Sequence, residues 1–134
     1  MTIMVWSCCF AMPHKNADAL KILAYIEAQG VSIQTVDSYS DVGTGLVIFN
    51  EFTPELPAYL QEASCGSSSR LLAIHCGSLC PEQARLLMQS GATDIVEFTD
   101  CIQSAEEILA RIKRWETIGK MLECPYVKAH LIGA

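Results

Sequence analysis

Short apolar runs alternate with longer amphipathic segments along the 134 residues. The runs have the length of strands and are rich in β-branched side chains, which is typical of strands buried in a sheet. The segments between them place apolar residues three and four positions apart, which predicts helices. Five strands are predicted, at Thr2 to Trp6, Val31 to Val36, Leu46 to Phe49, Leu71 to Ile74 and Ile95-Val96.

Helix start and stop signals lie between these strands. Strands that alternate with helices predict a parallel sheet with helices on both faces, which is a doubly wound α/β fold of three layers. The most apolar run, Leu46 to Phe49, is expected in the centre of the sheet, and Val31 to Val36 at its edge. Helices are predicted over 17–29, from Thr53-Pro54 to Leu60, from Ser78 or Cys80 to Gly91, and from Thr99 or Ser104 onward.

The composition fits one globular domain. With 51% apolar and 18% charged residues, a chain of this length can bury a core without disulfides. The seven cysteines, an odd number, lie mostly within apolar runs, and no secretory leader precedes them. No apolar run approaches the roughly 20 residues of a membrane span. We therefore expect a cytoplasmic protein with reduced cysteines that does not enter the membrane.

Charge is distributed unevenly about the net value of −6. Residues 1–110 carry 4 basic and 13 acidic side chains, whereas residues 111–134 carry 5 basic and 2 acidic ones. Nucleic-acid binding requires clustered Lys and Arg to neutralise phosphates. The acidic body therefore predicts no direct contact with nucleic acid.

Candidate site residues follow the predicted strands, because open parallel sheets bind ligands outside the carboxyl ends of their strands. They are Ser7, Cys8, Asn50, His75, Cys76 and Phe98. The order and spacing of these positions, with the segments IMVWSCC, GLVIFNEFTPELP, LLAIHCG and QSGATDIVEF, resemble the receiver domains of bacterial two-component response regulators.

This resemblance covers about residues 2–115 and implies a flavodoxin-like (βα)5 fold. Gly91-Ala92-Thr93-Asp94 is the best single match, being similar to the Gly-Ala-Asp-Asp of many receivers. Active receivers carry two acids after the first strand, a phosphorylated Asp after the third, Thr or Ser after the fourth and Lys after the fifth. The resemblance places these positions on Ser7 and Cys8, on Asn50, on Cys76 (or His75 with a register shift of one), and on Phe98.

None of these residues has the chemistry that the family uses. Mg²⁺ requires oxygen ligands, an acyl phosphate requires a carboxylate, and Phe98 cannot contact a phosphoryl group as a lysine would. Glu51 is the one neighbouring acid, but the pleat points it away from the side that Asn50 faces. The sequence therefore predicts a pseudo-receiver that has lost phosphorylation, with no catalytic residue and no cofactor.

The cysteines do not form a recognisable metal or redox motif. Cys76 and Cys80 have the spacing C-x3-C without a second pair, and zinc sites normally use four ligands in paired motifs. We expect buried, inert thiols and no metal site.

The last predicted helix carries apolar residues in alternating steps of four and three, from Cys101 to Leu122. This spacing is typical of the seam of a coiled coil. A second apolar edge, Ile102 and Leu109, is predicted to pack on the sheet. The seam predicts a homodimer whose interface contains Ile108, Ile112, Trp115 and Leu122.

The segment 129–134, AHLIGA, resembles the start of the ATPase module in sigma-54-dependent activators. It divides the chain into a receiver-like domain, 1–115, and a linker helix with the beginning of a truncated ATPase module, 116–134. The resemblance implies the non-enzymatic regulatory domain of a bacterial transcriptional activator, with downstream ATPase and DNA-binding domains as partners. The alternative is a sensor that binds a small molecule or nucleotide near Ser7, Asn50 and Phe98.

Overall fold

The computed structural model describes residues 3–10, 17–39, 43–65, 70–77, 79–99 and 102–123, with the side chains of the last helix described as far as Gly119. Five strands alternate with helices over these residues, so the predicted fold class is confirmed. The elements are β1 (Ile3–Cys9), α1 (Ala17–Ala28), β2 (Val31–Thr35), β3 (Thr44–Phe49), α2 (Glu55–Ser64), β4 (Arg70–His75), α3 (Pro81–Gln89), β5 (Asp94–Glu97) and α4 (Ile102–Glu123).

All five strands are parallel and lie in the order β2-β1-β3-β4-β5. This is the flavodoxin-like order, with β3 in the centre and β2 at one edge, as the hydrophobic pattern predicts. One core cluster lies between the sheet and the pair α1 and α4, and a second lies between the sheet and the pair α2 and α3. The sheet is therefore the middle of three layers.

Strand β1 extends beyond its predicted end. The sequence places Ser7, Cys8 and Cys9 after the strand because they are small or polar, but all three continue it. Ser7 is paired with Thr35 of β2 on one side and with Leu46 of β3 on the other. Hydrogen bonding to two neighbouring strands keeps the backbone extended whatever the local side-chain preference. The carboxyl end of β1 is therefore at Cys9.

No helix occurs among the described residues of the connection between β2 and β3, which are 36–39 and 43. The receiver resemblance implies a helix at this point, whereas the polar, turn-rich sequence of the segment predicts a connector. Val36 and Tyr39 pack instead against the core cluster on the α2 and α3 side. Met4, which points to that side from β1, is 71% exposed. The described residues that pack on this part of the sheet from the connection thus belong to a loop.

The faces of α4 differ from those predicted. Ile108 and Ile112 are 0% and 1% exposed and belong to the core cluster beneath α1 and α4, so their side chains are not available to a partner. Ile102, which was expected to pack on the sheet, is 67% exposed. Trp115 is half-buried against the same core, and Leu122 lies outside the described side chains. Among the described side chains, the part of the four-and-three spacing from Ala105 to Trp115 is therefore the inward face of an amphipathic helix.

Helix α4 is continuous across residue 115, where the sequence places a domain boundary. The guanidinium of Arg70, at the start of β4, donates a hydrogen bond to the backbone carbonyl of Trp115 over 3.1 Å. This contact fixes the middle of α4 to the sheet. Residues 124–134, with the ATPase-like segment, lie outside the described residues. No helix in the described part of the chain combines the length and apolar character that crossing a bilayer requires.

Candidate functional site

The carboxyl ends of β3, β4 and β5 bring three of the predicted site residues to one level. The backbone N–H of Cys76 donates to the carbonyl of Phe49 over 3.0 Å, and that of Phe98 donates to His75 over 2.7 Å. These bonds continue the strand ladders by one residue beyond the paired positions Phe49, His75 and Glu97. Asn50, Cys76 and Phe98 therefore follow three adjacent strands side by side.

Ser7 and Cys8 do not join this group. Ser7 is in register with Leu46 and Cys8 with Val47, four and three residues before Asn50. At about 3.3 Å per residue, Ser7 lies roughly 13 Å below the level of Asn50. Both side chains are buried, at 0% and 4% exposure, and the described residues offer no hydrogen-bond partner to the hydroxyl of Ser7. They occupy the interior of the sheet instead of its edge.

Cys9 is the residue of β1 that comes nearest to the site. It ends the strand in register with Ile48, and the N–H of Phe10 then donates to the carbonyl of Ile48 over 2.8 Å. By the alternation of the pleat, Cys9 projects on the α1 side, as Cys76 does. The sequence pattern missed Cys9 because the end of β1 depends on pairing with its two neighbours.

His75 ends β4 but faces the opposite side of the sheet from Cys76. Its ring is 6% exposed and stacks against Phe49, with the ring centroids 4.9 Å apart. Its Nε2–H donates to the backbone carbonyl of Asn50 over 2.7 Å. The described residues offer no partner to the buried Nδ1. The ring therefore anchors the backbone after β3, whereas Cys76 is the residue that follows β4 at the level of Asn50.

Phe98 directly follows β5. Its side chain is 6% exposed and belongs to the core cluster beneath α1 and α4. A buried phenyl ring cannot donate a charge-assisted hydrogen bond to an anion. This end of the crevice is therefore apolar and filled.

The two thiols on the α1 side of this edge are held in the neutral form. Burial raises the pKa of Cys76 to about 11, with smaller contributions from its electrostatic interactions with Asp18 and Cys9. Partial burial of the thiol also raises the pKa of Cys9, with a smaller contribution from Cys8. A nucleophilic or metal-binding cysteine requires the thiolate. Near neutral pH these thiols therefore lack the charge that either role demands. The Cys9 side chain is nevertheless exposed, as are Cys65 and Cys80, so the expectation of buried thiols is wrong for these three cysteines.

Cys8 belongs to a separate cluster on the α2 side, where aromatic residues cover the end of β1. Its Sγ donates to the carbonyl of Asp37 over 3.8 Å, and burial raises its pKa. Tyr59 donates a hydrogen bond to the carbonyl of Ser38, and its ring lies 4.9 Å from that of Phe10. Burial raises the pKa of the Tyr59 hydroxyl above its ordinary range. The cluster holds the loop after β2 against the sheet.

Among the described residues, no group of carboxylates converges on the crevice. Glu51 is exposed and lies in the bend that follows β3. Within the described ranges, no three His, Cys, Asp or Glu side chains are grouped so that they could hold a metal ion. The side chains that follow β3, β4 and β5 are thus an amide, a thiol and a phenyl ring.

The segment Gly91-Ala92-Thr93-Asp94 has a structural role. The Thr93 hydroxyl accepts a hydrogen bond from the N–H of Leu71 over 3.0 Å, and the N–H of Thr93 donates to Leu71 over 2.7 Å. Asp94 forms an ion pair with Arg111 at 2.6 Å. These contacts join the start of β5 to β4 and to α4.

Comparison with known proteins shows the fold. No family model matches the chain, and no curated protein matches it by sequence. The crystal structure of a candidate pilus assembly-related protein from Burkholderia pseudomallei is similar, with a TM-score of 0.63 and 10% sequence identity. The match covers 82% of this chain and 88% of that one. At this identity it shows a shared fold and nothing of a shared activity.

Proposed function

We propose that this chain is a non-catalytic regulatory domain with a receiver-like fold, which has lost phosphorylation and acts through contacts with other proteins. The observation that carries the proposal is the row Asn50, Cys76 and Phe98 at the carboxyl edge of the sheet. These residues follow the strands at the positions where receivers carry their site residues. They offer neither a carboxylate nucleophile nor a cation.

The burial of the row adds to this proposal. Phe98 is buried and Cys76 is half-buried with a neutral thiol, so neither side chain offers a charge to Mg²⁺ or to a phosphoryl group. A domain that keeps this fold without such charges in the row is expected to work through its outer surfaces. Homodimerisation through α4 is the contact that we propose.

The more specific proposal is that the domain belongs to a bacterial sigma-54-dependent transcriptional regulator and controls a downstream ATPase. It rests on the sequence resemblance of residues 129–134 to the start of such a module. The sequence that follows Ala134 tests it directly. A phosphate-binding loop in the next few dozen residues would support the proposal, and a stop codon or an unrelated module would contradict it.

The loss of phosphorylation is tested by incubating the chain with acetyl phosphate and Mg²⁺ and measuring its mass. We expect no phosphoryl adduct, in contrast to an active receiver treated in parallel. The variant Asn50→Asp restores the carboxylate while Phe98 and Cys76 remain, and we expect it to stay unmodified too. An adduct on the wild-type chain would overturn the proposal, and mapping it to Glu51 would identify the acceptor.

The second candidate function is ligand sensing at the same edge of the sheet. It is favoured by the buried Nδ1 of His75, because no described residue is its hydrogen-bond partner and a bound molecule could supply one. The burial of Phe98 weighs against it, because the ring fills part of the crevice. Thermal melting with a panel of nucleotides tests it. A saturable rise in Tm that His75→Phe abolishes would favour sensing, and an unchanged Tm would favour the regulatory domain.

A further inference from the structure

Helix α4 presents an outward stripe of exposed residues opposite its buried face. Seven exposed side chains lie on this side, because helical positions that are three, four or seven residues apart share one face. The outer stripe consists of Gln103, Glu106, Glu107, Ala110, Lys113, Arg114 and Thr117.

Charge is divided along the outer stripe. Glu106 and Glu107 lie on one side of Ala110, and Lys113 and Arg114 lie on the other. Each acid is seven residues from a base on the same side of the helix, which is about 10 Å along the axis and too far for a direct ion pair within one helix. The nearer base, Arg111, is directed elsewhere, because it pairs with Asp94 and donates to the backbone carbonyl of Glu107.

The helix dipole does not explain this division. Charges interact with the dipole mainly within the first and last turns of a helix. All four charged residues lie inside α4, which runs from Ile102 to Glu123, and none of them is in either terminal turn. This arrangement of charges therefore adds little to the stability of the isolated helix.

The same arrangement is complementary to itself when two helices run antiparallel. A two-fold axis beside Ala110 places residue 113 of one helix opposite residue 107 of the other, and residue 114 opposite residue 106. Every acid then meets a base, and the two-fold axis makes four such pairs. A parallel pair would set acid against acid and base against base.

The centre of the stripe also suits a close approach of two helices. Ala110 lies on the axis of symmetry, where a small side chain allows the backbones to come together. Gln103 and Thr117 meet across the interface at each end and can exchange hydrogen bonds. These features fit a second copy of the chain better than a partner of one charge sign.

We infer that two copies of this chain associate through the outer stripes of α4, antiparallel about Ala110, with Glu106 and Glu107 of one copy facing Lys113 and Arg114 of the other. This inference rests on the proposed homodimerisation and specifies its surface and polarity. A single pair of helices buries less than a standard interface, so the dimer is weak and forms at high protein concentration. Because its ion pairs are exposed to solvent, salt weakens it further.

The test is sedimentation of the chain and of two charge-reversal variants, Glu106→Lys with Glu107→Lys, and Lys113→Glu with Arg114→Glu. Each variant replaces four attractive contacts by four repulsive ones, so each alone should associate at least about tenfold more weakly than the wild type. Mixing the two restores complementary charges and should restore association. The control, Glu27→Lys with Glu51→Lys, changes the same number of exposed charges elsewhere and should associate as the wild type does.

The outcomes separate this inference from the proposed function. Recovery of association on mixing, with unchanged melting temperatures, supports the antiparallel stripe. A dimer that both reversals leave intact overturns the stripe while homodimerisation stands. A wild-type chain that is monomeric at every concentration and at low salt overturns both. A phosphoryl adduct would overturn the loss of phosphorylation without touching the stripe.

Discussion

The indole ring of Trp6 in β1 lies over Gly45, its neighbour in β3, so closely that a Cβ atom on Gly45 would overlap the ring. Trp6 is 3% exposed and packs in the core cluster on the α2 and α3 side. The absence of a side chain at residue 45 is what leaves room for the ring. The tryptophan ring therefore fills the core at this point, beneath the described loop that follows β2.

Replacing Gly45 with alanine is expected to destabilise the chain by roughly 1–3 kcal/mol, because the added methyl group must displace a buried ring. Chemical denaturation followed by tryptophan fluorescence measures the loss. The variant Gly119→Ala is the control, because nothing lies within 4 Å of a Cβ at that helical position. It should stabilise the chain by up to about 1 kcal/mol. Equal effects at the two glycines would contradict the contact with Trp6.

The two isoleucines at the start and middle of α4 are expected to differ sharply in their contribution to stability. Ile112→Ala removes a side chain that is 1% exposed and should cost about 2–5 kcal/mol. Ile102→Ala changes a side chain that is 67% exposed and should stay within about 0.5 kcal/mol of the wild type. Denaturation midpoints at low protein concentration measure both. A large loss of stability in Ile102→Ala, with none in Ile112→Ala, would instead support the prediction from the sequence that Ile102 packs on the sheet and Ile112 faces a partner.

Periodicity predicts the layers of this fold well. The central place of Leu46 to Phe49 and the edge place of Val31 to Val36 both follow from how apolar each run is, since burial on two faces requires a continuous apolar strand. The pattern fails at Ser7 and on α4 for physical reasons. Small polar residues remain in a strand that is paired on both sides, and a four-and-three spacing does not reveal which body the helix packs against.

The candidate site is predictable only in part. Asn50, Cys76 and Phe98 are found from the sequence because each comes after an apolar run, Asn50 directly and the other two after one further residue. The position of β1 along β3 decides which of its residues come near this row. It keeps Ser7 and Cys8 out of the row and brings Cys9 close to it. Register between strands is set by pairing and by side-chain packing on both faces, which a single sequence does not display. The hydrogen bond from His75 to the Asn50 carbonyl depends on the same register.

Thr93 is expected to matter through its hydroxyl group, which accepts a hydrogen bond from the buried N–H of Leu71. Thr93→Val keeps the shape of the side chain but leaves that N–H unpaired, and it should cost about 1–3 kcal/mol. Thr93→Ser keeps the hydroxyl and should lose less. Hydrogen exchange at the Leu71 amide measures this hydrogen bond directly. Equal protection of that amide in the two variants would argue against its bond to the Thr93 hydroxyl.

The neutral thiol of Cys76 is expected to make stability depend on alkaline pH. Its pKa is raised from 9.0 in the unfolded chain to about 11 in the folded one, chiefly by burial. Below pH 9 the thiol is protonated in both states, so its contribution to stability is fully present. As the pH rises toward 11 the unfolded chain loses this proton first, and stability falls.

The variant Cys76→Ala removes this titration, so its free energy of unfolding should decline less steeply between pH 9 and pH 11 than that of the wild type. Urea denaturation at intervals of half a pH unit, under reducing conditions, measures both slopes. Cys65→Ala is the control, since Cys65 is an exposed thiol and its removal should leave the wild-type slope in place. Alkylation gives an independent reading, because reagents attack the thiolate. Cys76 should become reactive only as the pH approaches 11, and full labelling of Cys76 at pH 8 in the folded chain would refute the raised pKa.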